Sequence, residues 1–117
     1  MSWEYQGKVV RWVDGDTVDL TVSKEIDIGF RIIQRAEYTG RFRLVTVDTP
    51  ERGQPGYNEA REFCEGWLPP GSAVAVVTYK TDSFGRWLAD LRFPAVGTAS
   101  TSISELLLRH NLAEVWT

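Results

Sequence analysis

The stretch Phe42-Arg43-Leu44-Val45-Thr46-Val47-Asp48-Thr49-Pro50-Glu51 carries the reading of this chain. Phe42 to Val47 is apolar and β-branched, which suits a strand. The end of that strand brings an arginine, two carboxylates and a proline-fixed turn to one place. Upstream stands Val13-Asp14-Gly15-Asp16-Thr17, and downstream Asp82-Ser83-Phe84-Gly85-Arg86. Together the three segments offer carboxylates for a hard metal ion and two guanidinium groups for a phosphate. A solvated surface has no need of that combination; phosphodiester chemistry does. On an ideal strand Arg43 and Asp48 have opposite parity, so a shared site requires the chain to leave the strand near Asp48, which Pro50 favours.

Working outward, Tyr5 to Val13 reads as a first strand. Asp14-Gly15 reads as a two-residue hairpin, because both residues tolerate positive φ. In the second strand Val18, Leu20 and Val22 alternate with Thr17, Asp19 and Thr21, giving one buried face. The alternation is expected to run on through Ile26, Ile28, Phe30 and Ile32, with a bulge at Gly29. The second and third strands therefore form a long hairpin arm. Ala60, Phe63, Cys64, Trp67 and Leu68 make the apolar stripe of a helix that Pro69-Pro70-Gly71 ends. Ala73 to Tyr79 and Trp87 to Phe93 read as the fourth and fifth strands, joined by a turn containing Gly85. A last helix starts at Ser102, with Glu105 completing a capping box. Ile103, Leu106, Leu107 and His110 form its stripe, and Asn111 suits the left-handed position after its end. Three strands, a helix, two strands and a helix fit an α+β, mainly β fold. The expected form is a five-stranded Greek-key barrel of the oligonucleotide/oligosaccharide-binding (OB) type, with two capping helices.

With 117 residues and 43% hydrophobic content, one domain spanning residues 1–117 is expected, large enough for a real core. Five Trp, four Tyr and five Phe supply much of the buried area a small domain needs. A net charge of -3 excludes a generally basic nucleic-acid binder, so a polyanion must meet a local positive patch or a metal ion. The single cysteine, Cys64, excludes an internal disulfide. It lies on the helix stripe as a small buried hydrophobe. No apolar run approaches the roughly 20 residues that span a bilayer, so no membrane partner is expected. No signal peptide is visible at the N-terminus, which makes a cytoplasmic protein the default and a secreted mature chain the alternative.

Asp14-Gly15-Asp16-Thr17, Arg43-Leu44-x-x-x-Asp48-Thr49-Pro50-Glu51 and Gly85-Arg86 stand in this order on the expected hairpins. Together they resemble the staphylococcal nuclease, or thermonuclease-like, family. Asn111-Leu112-Ala113-Glu114-Val115 resembles the family's run after the last barrel helix, so the likeness covers roughly Lys8 to Val115. The chain departs from the prototype in its long arm between Asp16 and Arg43, in a short loop from Glu51 to Glu59, and in Phe84 where the prototype has tyrosine before Gly-Arg. The prototype's third helix has no counterpart up to Thr117.

The resemblance implies a Ca²⁺ cofactor held by Asp16 and Asp48, with the Thr49 carbonyl as third ligand. Oxygen donors suit that ion, and no His or Cys cluster points to zinc. Glu51 is expected to act as general base or to orient the attacking water. Arg43 and Arg86 are expected to clamp the phosphate and to stabilise the charge that grows on its oxygens in the transition state. Phe84 and Trp116 are candidates for stacking on bases, with packing as the plainer role for both. The implied activity is a sugar-nonspecific endonuclease on DNA or RNA, single strands preferred, leaving 3′-phosphate ends. The alternative is a non-catalytic OB module that binds nucleic acid or protein. Such a module should have lost at least one of Asp16, Arg43, Asp48, Glu51 or Arg86, and all five are present. A monomer is expected, with the arm as the surface for any dimerisation.

Overall fold

The structure, a computed structural model, describes residues 3–81, 86–94 and 100–115. Its elements are β1 (Trp3–Asp14), β2 (Thr17–Asp27), β3 (Ile33–Leu44), β4 (Val47–Asp48), α1 (Tyr57–Trp67), β5 (Ala73–Thr81), β6 (Trp87–Pro94), β7 (Ser100–Ser102), α2 (Ile103–Arg109) and β8 (Glu114–Val115). β1 pairs antiparallel with β2 and β5, β2 with β3, and β5 with β6. A parallel match of Phe42, Arg43 and Leu44 with Trp87, Leu88 and Ala89 then closes the ring. The result is a closed five-stranded barrel with two helices, the mainly β OB architecture read from the sequence. Closure removes the free edge of β3 only where it meets β6, at residues 42–44.

The barrel is filled from alternate positions. Val9, Val18, Leu20, Phe42, Leu44, Val76, Ala89 and Leu91 are buried, and the residues between them face outward on most strands. α1 seals one side through Ala60 and Cys64, with Leu68 buried just past its end. The Trp12 indole donates to the Leu68 carbonyl at 3.0 Å, so β1 holds the helix C-terminus by a bond that a phenyl ring could not make. α2 contributes Ile103, Leu106 and Leu107. Each such side chain is worth roughly 1.5–3 kcal/mol when fully buried.

Several local expectations change. The loop between β1 and β2 is Gly15-Asp16 rather than Asp14-Gly15, because Asp14 pairs with Thr17. Gly15 does not use positive φ there. It is required by space: a Cβ would stand 2.8 Å from the Ala60 Cβ and 3.0 Å from the Thr49 Oγ1. The apolar alternation does not run on past Asp27. Gly29, Phe30 and Arg31 take positive φ, the Asp27 carboxylate accepts from the Gly29 amide, and the chain reverses into β3. Ile28, Phe30 and Ile32 therefore sit exposed at a hairpin tip. At α2 the Ser102 hydroxyl accepts from the Glu105 amide as expected, but the Glu105 carboxylate accepts from Arg109 instead of closing the box. Of the expected α2 stripe, His110 is exposed, and its ring lies 4.9 Å from that of Phe63. The turn containing Gly85 lies outside the described residues.

The two glycines at α1 test this packing in opposite directions. Gly15→Ala forces a methyl group into Ala60 and Thr49, and overpacking of this kind costs about 1–3 kcal/mol. Gly66, inside the helix with no heavy atom near its Cβ position, gains about 0.5–1 kcal/mol on replacement by Ala. Urea unfolding of the two variants should move the midpoint down for the first and up for the second.

Candidate active site

Three backbone segments meet at one guanidinium group. Arg43 lies near the end of β3, where only 7% of its surface is exposed. Its Nη1 donates to the carbonyls of Leu44 and Val47, both at 3.0 Å. Its Nη2 faces the Asp16 carboxylate at 3.5 Å and the Asp48 carboxylate at 3.3 Å. The planar fork of arginine can serve four acceptors from three segments at once, which an ammonium cannot do.

The local backbone explains how opposite-parity residues come together. β3 ends at Leu44, and Thr46 takes φ 69 before β4 begins at Val47. Positive φ is a true outlier for a β-branched residue and costs about 1–3 kcal/mol, so surrounding bonds must hold it. They do: the Val45 amide donates to Ala89 at 2.9 Å on one side, and Arg43 grips the Val47 carbonyl on the other. The chain thus leaves the strand at Thr46, earlier than the proline at 50 suggested. β4 pairs with β8, which places Glu114 directly opposite Asp48.

Asp16 sits in the β1–β2 turn, buried with 9% exposure. Its carboxylate accepts from the Thr17 hydroxyl and the Thr49 amide, each at 3.2 Å. Its carbonyl accepts from the Leu44 amide at 2.8 Å, tying the turn to β3. Gly15 allows the turn to press against α1 and Thr49. The Tyr57 hydroxyl, at the start of α1, donates to the Asp14 carboxylate at 2.7 Å and also reaches the Val13 carbonyl. Tyr57 and Thr46 were not assigned roles from the sequence, and Gly15 was read only as a turn residue inside the Asp14–Thr17 motif.

The donor set can be tested against a hard cation. The contacts of 3.3 and 3.5 Å to Arg43 are long beside the roughly 2.7–2.9 Å of a charge-assisted bond, so both carboxylates keep lone pairs in reserve. The Thr49 Oγ1 is buried with no hydrogen-bond partner. Asp48 and Glu114 stand as like charges on facing strands, an arrangement that favours a positive charge nearby. All these atoms are oxygens, and a hard oxygen-seeking cation fits them. Among the described residues no group of three or more His, Cys, Asp or Glu side chains gathers, so a cation here needs backbone carbonyl or water to complete its shell. A groove of about 490 Å³ opens beside the pair, lined by Asp48, Thr49, Gln54, Asn111 and Glu114 among others.

The remaining candidates are less tightly placed. Glu51 is exposed on the loop after Pro50; its amide donates to the Gln54 side chain at 2.8 Å, and no described residue bonds its carboxylate. Arg86 is half-buried and immediately precedes β6, two residues before Leu88, the register partner of Arg43. Phe84 and Trp116 lie outside the described residues.

Two predictions follow from the burial. Arg43→Met leaves Asp16 and two carbonyls without their shared donor, and breaking such a buried pair costs about 3–5 kcal/mol. Arg43→Lys recovers only part, because one ammonium cannot span the set. Asp48→Asn, at an exposed carboxylate, stays within about 1 kcal/mol of the parent. Chemical denaturation of the three variants should give that order. Burial also pushes the Cys64 thiol far up from its ordinary value, with the Asp16 charge adding to the effect. Native protein at pH 8 should therefore resist iodoacetamide, while the urea-unfolded chain reacts within minutes; equal rates would show that the helix does not cover this residue.

The sequence profile of the family described as staphylococcal nuclease homologues matches residues 41–117. That span includes Arg43, Asp48 to Glu51 and Arg86, and begins after Asp16. The chain is 31% identical to a micrococcal nuclease of Shigella flexneri over 117 residues, covering 96% of this chain and 59% of that protein. It is 35% identical to the Escherichia coli protein ParB over 88 residues, 74% of this chain and 42% of that one. It is 26% identical to an uncharacterized endonuclease of Escherichia coli O157:H7 over 113 residues, 97% of this chain and 62% of that one. The chain thus spans between 42% and 62% of the length of these relatives. A closed barrel carrying the three motifs, and a profile match over most of the chain, place this protein in the staphylococcal nuclease homologue family.

Proposed function

We propose that this chain is a Ca²⁺-dependent endonuclease domain that hydrolyses the phosphodiester backbone of DNA or RNA and leaves 3′-phosphate ends. The observation that carries the reading is the meeting of Asp16, from the β1–β2 turn, and Asp48, from β4, at one nitrogen of the Arg43 guanidinium. Relatives described as a micrococcal nuclease and an endonuclease support it. Asp16, Asp48 and the Thr49 carbonyl would hold the ion, which when bound supplies positive charge to a phosphate oxygen and to the attacking water.

The chain's own residues do the rest. Glu51, exposed on the loop two residues after Thr49, accepts or directs the proton of the attacking water. Arg43, already fixed by two carbonyls, offers a cation that need not reorganise as charge accumulates on phosphorus oxygens. Arg86, immediately before the neighbouring strand β6, provides the second. The 5′ oxygen departs and the phosphate stays with the 3′ side. A single strand reaches the site more readily, since its backbone is free to bend into the groove beside Asp48. With a net charge of -3, binding depends on local cations, and turnover should fall steeply with salt. Compartment is proposed only as cytoplasmic by default.

The test is digestion of a labelled single-stranded oligonucleotide with Ca²⁺ and with chelator. Cleavage should require the metal, and the products should resist polymerase extension until treated with phosphatase. Glu51→Gln should lose roughly 100- to 10,000-fold in rate with unchanged stability. Arg86→Ala should lose roughly 100- to 1,000-fold. Metal-independent cleavage, or Glu51→Gln at parental rate, contradicts the proposal.

A further inference from the structure

The β2–β3 arm extends beyond the barrel, and residues 24–39 form the longest exposed run among the described residues. β1 pairs with β2 only as far as Ser23, and β6 pairs with β3 only from Phe42 onward. Among the described residues, β3 therefore presents a free outer edge over residues 33–41, and residues 33–39 are all exposed. The tip adds Ile26, Ile28, Ile32 and Ile33 at 44–62% exposure and Phe30 at 97%. A free edge with apolar flanks is a template for another strand. The question is which strand fits.

The charges on the edge answer it. Arg35 and Glu37 lie on one face of β3, with their side chains 3.4 Å apart. A copy related by a two-fold axis through Ala36 would pair antiparallel, setting Arg35 opposite the partner's Glu37 and Glu37 opposite the partner's Arg35. Moving the axis by one residue places Arg35 against its own equivalent, or Glu37 against its own. Among these three registers the charge pattern favours the one centred on Ala36. Arg31 would face the partner's Arg41, but Arg31 is in the turn, beyond the strand, and Arg41 is already bonded to Asp19 at 3.0 Å. The same register carries Phe30 of one arm to the level of the partner's Phe42. There the root of the arm holds an open apolar cavity of about 530 Å³, lined by Tyr5, Val22, Tyr38, Phe42 and Trp87 with Thr78. The most exposed aromatic side chain among the described residues and the apolar cavity would be brought together twice by one axis.

We infer that the arm is a dimerisation element, with β3 of two copies pairing antiparallel about Ala36. This goes beyond the proposed nuclease reading and does not depend on it. Light scattering coupled to size exclusion would be run on the parent, on Arg35→Glu, on Glu37→Arg, and on an equimolar mixture of the two variants. Both positions are exposed, so both variants fold, which circular dichroism checks. The parent should be a dimer. Each variant should dimerise at least about tenfold more weakly, because two attractive cross-strand pairs become repulsive. The mixture should recover dimer, since one variant is acidic at both positions and the other basic at both. A parent that stays monomeric at every accessible concentration overturns the inference. So do single variants as dimeric as the parent, or a mixture that does not recover.

Discussion

The site depends on one buried cation. Arg43 holds the Leu44 and Val47 carbonyls with one nitrogen and faces two carboxylates with the other. The carbonyl bonds stabilise the left-handed Thr46 bend, and that bend turns Asp48 back toward the β1–β2 turn. Without a fixed cation at this point, Asp16 would be a buried charge lacking a counterion, and the chain would have no reason to leave β3 where it does. The same guanidinium that would meet a phosphate therefore also builds the pocket that receives it. Structure and chemistry at this residue cannot be separated by a single substitution.

Barrel closure supplies the rigidity this arrangement needs. The short parallel match between β3 and β6 sits at the residues that carry Arg43 and follow Arg86. Arg43 is thus set on a paired strand and Arg86 on the residue just before one, which ties both cations to the barrel. The proposed base differs. Glu51 rides on a solvent-exposed loop, its amide bonded to the Gln54 side chain, and in the proposed role it would be able to adjust to the water. Two cations tied to the barrel and a carboxylate on a loop suit the roles proposed for them.

The sequence disclosed the architecture and the residue types of the site, but not the reasons for their placement. Alternation in β2 and the helical stripe at Ala60, Cys64 and Leu68 were legible because burial repeats with a fixed period. The alternation then misled at Ile28 to Ile32. Isoleucines at a hairpin tip look like those of a strand until positive φ at Gly29, Phe30 and Arg31 turns the chain. Likewise Gly15 resembled a turn glycine but is needed for contact with α1, a tertiary constraint that no local pattern reports. The bend at Thr46 was hidden because threonine is a poor left-handed residue, and only the bonds from Arg43 and to Ala89 make it tolerable. Asp16 and Asp48 could be nominated from motifs; that one guanidinium binds both was visible only in three dimensions.

On the proposed reading Asp16 and Asp48 belong to one cation site. A Ca²⁺ titration followed by amide resonances tests it most directly. The account predicts that the amides of Asp16, Asp48 and Thr49 shift together along one binding curve, and that Asp16→Asn and Asp48→Asn each abolish the response at all three. Shifts with separate binding constants, or variants that leave the remaining amides responding as before, would contradict it.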